Sequence, residues 1–320
     1  MRTRTFLFCS AAALLSVVAD AGAALARGFP VSGPWAAWYG EASSRQISDA
    51  ARSFRIFNID ADPYQENLSD ADIRTLQAGG RNVVLSYLNL GSCEEGRDYF
   101  AECKATGALT TRYDDDKYSD EWWANLGNSR YRDLIVNEVA ARIAARGVDG
   151  FYLDNLEVVE HGPNAKYGPC DEACSQGGLD LVWELRQRFP DKLIVMQNAT
   201  SEVTRSGRTH GVAFPSLLDG VAHEEVYSNG GDDDARDEML AWKELNLSVD
   251  GKPFWLAVEE YVGVCSSSGA SEAAEIRADA RRDGFSVYVT DASEEQEVPC
   301  TVFASDDEDG ESDEDWNDED

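Results

Sequence analysis

The chain is poor in bases. Its 320 residues carry 28 Lys and Arg against 60 Asp and Glu, a formal charge of -32. Phosphate backbones are bound through Lys and Arg, so nucleic acid is excluded as a partner. Histidine is scarcer still: His161, His210 and His223 are the only three, and they are scattered. That leaves no His cluster for a metal, and neither a Cys-His pair nor a serine elbow is present for nucleophilic catalysis. No metal or other cofactor is expected. The first apolar run lacks a glycine-rich phosphate turn after it, which disfavours a doubly wound nucleotide-binding sheet. No Pro/Gly/Ser-rich linker divides the chain, and after residue 26 no apolar run is long enough to cross a bilayer.

What is present begins with MRTRT and the apolar FLFCSAAALLSVV, followed by small residues through Ala26. Basic start, short apolar run and small residues are the marks of a secretory signal peptide, cleaved after Ala23 or Ala26. The mature protein is therefore expected to be secreted, either periplasmic or extracellular. Of the seven cysteines, Cys9 lies in that signal, which leaves six. An even number in an oxidising compartment implies disulfides. Closeness in sequence favours Cys93 with Cys103 and Cys170 with Cys174, leaving Cys265 for Cys300. At the other end, residues 305–320 hold eleven of the acidic residues and no apolar periodicity, so an acidic disordered tail is expected there.

Residues 27–304 are about the size of one α/β barrel. Eight strand-like runs alternate with helical patterns: Trp35 to Gly40, Arg55 to Asp60, Asn82 to Gly91, Gly150 to Glu157, Leu193 to Ala199, Gly220 to Tyr227, Pro253 to Tyr261 and Phe285 to Ser293. Each run is nearly all apolar, as in a parallel sheet covered on its outside. Between them, Tyr131, Ile135, Val139 and Ile143 recur every four residues after a capping Asn128 or Ser129 and before Gly147. A Ser-x-x-Asp capping box at Ser69 and Asp72 opens a helix to Ala78, and Leu181, Leu185 and Phe189 mark another over Leu179 to Phe189. The expected fold is a single (βα)8 barrel.

Acids and amides close these runs: Asp60, Asn89, Asp154 with Asn155, Asn198, Glu224 with Glu225, Glu259 with Glu260, and Asp291. A lone Asp154 would read as a helix cap. Seven of eight runs ending this way is better explained by the face of a barrel that carries its active site. Carboxyls, amides and aromatics such as Tyr39, Tyr87, Trp122, Trp123, Tyr152, Tyr227 and Tyr261 suit glycoside hydrolysis, in which one carboxyl protonates the leaving oxygen and another attacks carbon or activates water.

Several stretches resemble glycoside hydrolase family 114, the endo-α-1,4-polygalactosaminidases. They are VVLSYLNLGSCEEGRDYF, the Trp122 and Trp123 region, RGVDGFYLDNLE, VMQNA, LDGVAHEE and FWLAVEEY, in family order over residues 35 to 292. The resemblance implies a (βα)8 barrel, a polysaccharide substrate rich in cationic galactosamine, and a retaining carboxylate pair with Asp154 as nucleophile and Glu224 as acid/base. Asp60, Tyr87, Asn89, Asn155, Asn198, Tyr227, Glu260 and Tyr261 are expected to bind substrate, with Glu260 the rival for the acid. The sequence departs from the family at Glu157, where Asp is common, at Gln197, where Lys is common, and after Glu224, where a cysteine often follows. A monomer without a membrane or nucleic-acid partner is expected. The reading from another class is a secreted carbohydrate-binding barrel without turnover.

Overall fold

A computed structural model describes residues 29–113, 118–245, 254–264, 267–292 and 296. The signal, the acidic tail and the Cys265 with Cys300 pairing lie outside the described residues. All eight expected runs are strands of one sheet: β1 Trp35–Trp38, β2 Ile56–Ile59, β3 Val83–Asn89, β4 Gly150–Asp154, β5 Leu193–Gln197, β6 Gly220–Glu224, β7 Trp255–Tyr261 and β8 Ser286–Thr290. They pair in chain order and every pairing is parallel. β1 and β8 come within 8 Å of each other. The rings of Trp35 and Tyr288 meet across that seam at 5.4 Å, so the sheet is a nearly closed barrel. Burial on both faces explains why its strands read as continuous apolar runs.

The helices follow local rules. Ser43 with Gln46 and Ser69 with Asp72 form full capping boxes on Ser44–Ser53 and Asp70–Gln77. Asn128 caps Ser129–Leu134, which passes through a π turn, Ile135–Val139, into Ala140–Ala145. The strict four-residue stripe explains the π turn. At 3.6 residues per turn such a stripe drifts around the helix, and one wider turn brings it back. Tyr131, Ile135, Val139 and Ile143 are all buried as a result. The next helix, Glu172–Arg188, starts well before Leu179, at an Asp171 cap. Gly177 and Gly178 hide its first turns from a periodicity reading. They are glycine because a Cβ at 177 would meet the Leu126 carbonyl oxygen at 2.3 Å and one at 178 the Val159 side chain at 2.3 Å.

Between β3 and the π-containing helix the chain inserts a small antiparallel sheet, Ser92–Glu94, Leu109–Arg112 and Glu121–Ala124. The Cys93–Cys103 disulfide ties its first strand to the short helix Phe100–Thr106. Cys170 and Cys174 form the second bridge, at the start of Glu172–Arg188.

Candidate active site

Acids occur at both ends of the barrel strands, and their partners separate two jobs. Asp149, before β4, accepts the Val84 backbone N–H at 2.8 Å. Asp219, before β6, accepts the Ile194 N–H at 2.8 Å and pairs with buried Arg186 at 2.5 Å. These carboxyls are spent on the fold. At the C-terminal ends the pattern reverses. Asp154 ends β4 without capping a helix: Asn155 follows at φ 58, and the 3-10 turn Leu156–Glu160 has no side-chain cap.

Asp154 and Glu224 both open on a cleft of about 390 Å³. β5 lies between their strands, and its end supplies the link. Asn198 donates its amide to Glu224 Oε2 at 2.7 Å, and Tyr261 donates its hydroxyl to Oε1. Gln296 donates in turn to the Tyr261 oxygen. Asp154 has less support. Burial above all, then the charges of Glu224 and Glu121, push its carboxyl up to about 8, while the Asn155 N–H and the Tyr87 hydroxyl pull the other way.

The inserted sheet builds the opposite wall. Arg97 pairs with Asp60 at 2.7 Å and with Glu94 at 2.7 Å, under the Tyr87 ring. Glu121 accepts from Ser92 at 2.5 Å and from Asn155 at 3.3 Å. Burial, then Glu94, raise it to about 7. Five carboxyls (Asp60, Glu94, Glu121, Asp154, Glu224) and one guanidinium therefore line the cleft, beside Tyr39, Tyr87, Tyr113 and Tyr118. Among the described residues no group of three or more His, Cys, Asp and Glu is placed to hold a metal ion.

Of the residues singled out in the sequence, Asp60, Tyr87, Asn155 and Asn198 line the cleft with the carboxyl pair. Asn89 stands one layer behind, donating to Ser92 at 2.8 Å, and Tyr261 reaches the site through Glu224. Glu260 and Tyr227 do not join them. The Glu260 carboxylate points off the barrel interior and accepts the backbone N–H groups of Tyr227 and Ser228, at 3.1 and 2.8 Å. The Tyr227 hydroxyl donates to Asp283 at 2.7 Å. Trp122 donates its indole N–H to Glu95, and Trp123 stacks on Tyr113 at 4.5 Å.

The neighbour of Glu260 takes the interior place instead. Glu259 pairs in register with Glu224, is 1% exposed, and has no partner on either carboxyl oxygen. Burial, then the charges of Glu224 and Asp154, hold it well above the usual carboxylate range. Sequence reasoning also passed over Glu94 and Glu121, because three- and four-residue strands leave no period to read.

The sequence profile of glycoside-hydrolase family GH114 matches residues 18–304. Among solved structures, the chain is similar to the glycoside hydrolase domain of PelA from Pseudomonas aeruginosa, with TM-score 0.62 and 17% identity over 83% of this chain and 98% of that one. It is also similar to Aspergillus fumigatus Ega3, solved in complex with galactosamine, with TM-score 0.59 and 17% identity over 81% of this chain and 91% of that one. No curated protein matches the chain in sequence. At such identities the structural likeness speaks for the barrel, and the profile match speaks for the family.

Proposed function

This chain belongs to glycoside-hydrolase family GH114, and from that premise we propose that it is a secreted hydrolase of galactosamine-type polysaccharide, working through Asp154 and Glu224. The observation that carries this reading is the cleft itself: two strand-end carboxyls that feel each other's charge, inside a wall with five carboxyls and one base. A protonated amino sugar complements that surface, whereas an anionic polymer would be repelled. Two disulfides suit an oxidising compartment.

In a retaining cycle Asp154 attacks the anomeric carbon while Glu224 gives a proton to the departing oxygen. Glu224, now a carboxylate, takes a proton from water as that water displaces Asp154. Proton placement gives the substrate a part in this scheme. In the free cleft, burial favours the protonated form of Asp154. An ammonium bound between Asp154 and Glu121 favours ionised Asp154, the form that attacks. Cationic substrate thus arms the nucleophile, and a neutral N-acetylated polymer does so poorly.

The test is hydrolysis of α-1,4-linked galactosamine polymer by the full chain, with the anomer of the first product read by NMR. Asp154→Asn should lose at least about a thousandfold in kcat, since an amide forms no covalent intermediate. Full activity in that variant, or an inverted product, overturns the mechanism.

A further inference from the structure

Tyr113 lines the cleft. That ring also borders a second depression of about 410 Å³, whose other walls are Trp123, Glu157, His161, Lys166 and Tyr167. Its aromatic side is built: Tyr113 stacks on Trp123 at 4.5 Å, and Trp123 meets His161 edge-on at 4.8 Å. Lys166 lies over the Tyr167 ring at 4.3 Å, on the exposed rim.

Glu157 is the group that the site described above leaves unused. It sits in the 3-10 turn directly after β4, three residues beyond Asp154, and Oε2 is buried without a hydrogen-bond partner. Burial first, then Asp154, Glu224 and Glu160, oppose its ionised form, while its own backbone N–H favours it. A carboxyl left this way is costly unless a donor or a cation reaches it. Among the described residues no hydrogen-bond donor reaches Oε2, and the side chain borders an aromatic hollow that shares the Tyr113 ring with the acidic cleft.

We propose that this depression is a second saccharide subsite, in which Tyr113 and Tyr167 offer ring faces to one sugar of the polymer and Glu157 takes that sugar's ammonium group. The assignment rests on the proposed galactosamine substrate. It deepens that reading, because a protein that holds one amine in the cleft and another past Tyr113 selects runs of deacetylated sugar over isolated amines. Ring faces provide stacking surface, and the carboxylate adds a charge-assisted bond to an ammonium, which is stronger than a bond to a neutral hydroxyl or acetamide.

Glu157→Gln keeps the shape and the hydrogen-bonding capacity but removes the charge. With the full chain and galactosamine oligomers of increasing length, KM should rise about tenfold for oligomers long enough to enter both pockets, the size of one charge-assisted bond. The shortest cleaved oligomer should show a much smaller change, and so should N-acetylated oligomers. Tyr167→Ala, on the other wall and away from the buried carboxyl, should raise KM for the same long oligomers and provides a second test should Glu157→Gln fold poorly. If the parent enzyme cleaves these oligomers while both variants keep its KM at every length, the subsite is refuted and the hydrolase reading stands. If the parent enzyme cleaves no galactosamine oligomer, the hydrolase reading falls and takes the subsite with it.

Discussion

Asn198 and Glu224 hold each other twice: the Asn198 amide donates to Glu224 Oε2 at 2.7 Å, and its carbonyl oxygen accepts the Glu224 backbone N–H at 3.1 Å. Asn198 does this from the left-handed region, at φ 63, where Asn is tolerated better than most residues. The clamp fixes the orientation of the carboxyl that is proposed to give and take the proton. Asn198→Asp should therefore act on catalysis more than on binding. A carboxylate in place of the amide donor disfavours ionised Glu224, so the basic limb of the pH-rate profile should move to higher pH. Loss of the charge-assisted bond should lower kcat by about 10- to 100-fold. An unmoved basic limb with full kcat would show that Asn198 only closes the strand end.

The eight strands were legible because each is buried on both faces and reads as an uninterrupted apolar run. Most of the candidate cleft at the strand ends was legible for the same reason, since Asp154, Glu224, Asn198 and Asp60 stand where those runs stop. What failed to show was parity. In Trp255–Tyr261 the side chains alternate, so only one of two adjacent glutamates can face inward. Glu259 and Tyr261 share the inner face, and Glu260 takes the outer one. An all-apolar strand gives no alternation from which to read that choice. Tyr227 was misleading for a related reason: Glu225 turns to φ 55 directly after β6, and the strand pattern no longer applies beyond it. Glu94, Arg97 and Glu121 come from an insertion whose place over the barrel mouth has no signature in spacing.

The buried carboxyls set how stability varies with pH. Asp154 is raised to about 8, Glu121 and Glu160 to about 7, each first by burial, and Glu259 is raised well above its usual range for the same reason. In the unfolded chain these groups titrate near 4 to 4.5. Between those values and the raised ones the folded state binds more protons, so stability falls as pH rises through the window. The melting temperature should be higher at pH 5 than at pH 8. Glu259→Gln, which is uncharged at every pH, should reduce that difference. Measuring in about 0.5 M salt screens the surface repulsion of so acidic a chain and leaves the buried contribution. Equal melting temperatures at the two pH values would mean that these carboxyls ionise freely inside the fold.

Gly91, just after β3, lies against the backbone that follows Asp154. A Cβ at residue 91 would stand 1.7 Å from the Asn155 carbonyl oxygen, an overlap that no rotamer relieves. Gly91→Ala must push apart the ends of β3 and β4, and with them the Tyr87 and Asp154 side chains that share the cleft. A destabilisation of about 1 to 3 kcal/mol is expected from overpacking of this kind, together with a loss of kcat larger than the fraction unfolded explains. A variant with parental melting temperature and activity would show that the two strand ends have room to separate.

The Cys93–Cys103 bridge provides a test of what the inserted sheet contributes. It closes a loop across 10 residues of sequence, whereas Cys170–Cys174 spans 4. By loop entropy its removal should cost about 3 kcal/mol, against about 2 for the shorter bridge. The chemical consequence should be selective. Asp154 and Glu224 stand on barrel strands, but Glu94, Arg97 and Glu121 stand on or beside the strand that this bridge anchors. A Cys93→Ala, Cys103→Ala double variant should therefore raise KM for galactosamine polymer about tenfold while kcat at saturation falls much less, because binding groups loosen and the carboxyl pair stays in place. Removing Cys170 and Cys174 should lower the melting temperature without that KM increase. Should both double variants lose kcat equally with KM unchanged, the inserted sheet would be a general support of the barrel and not the wall that holds the polymer.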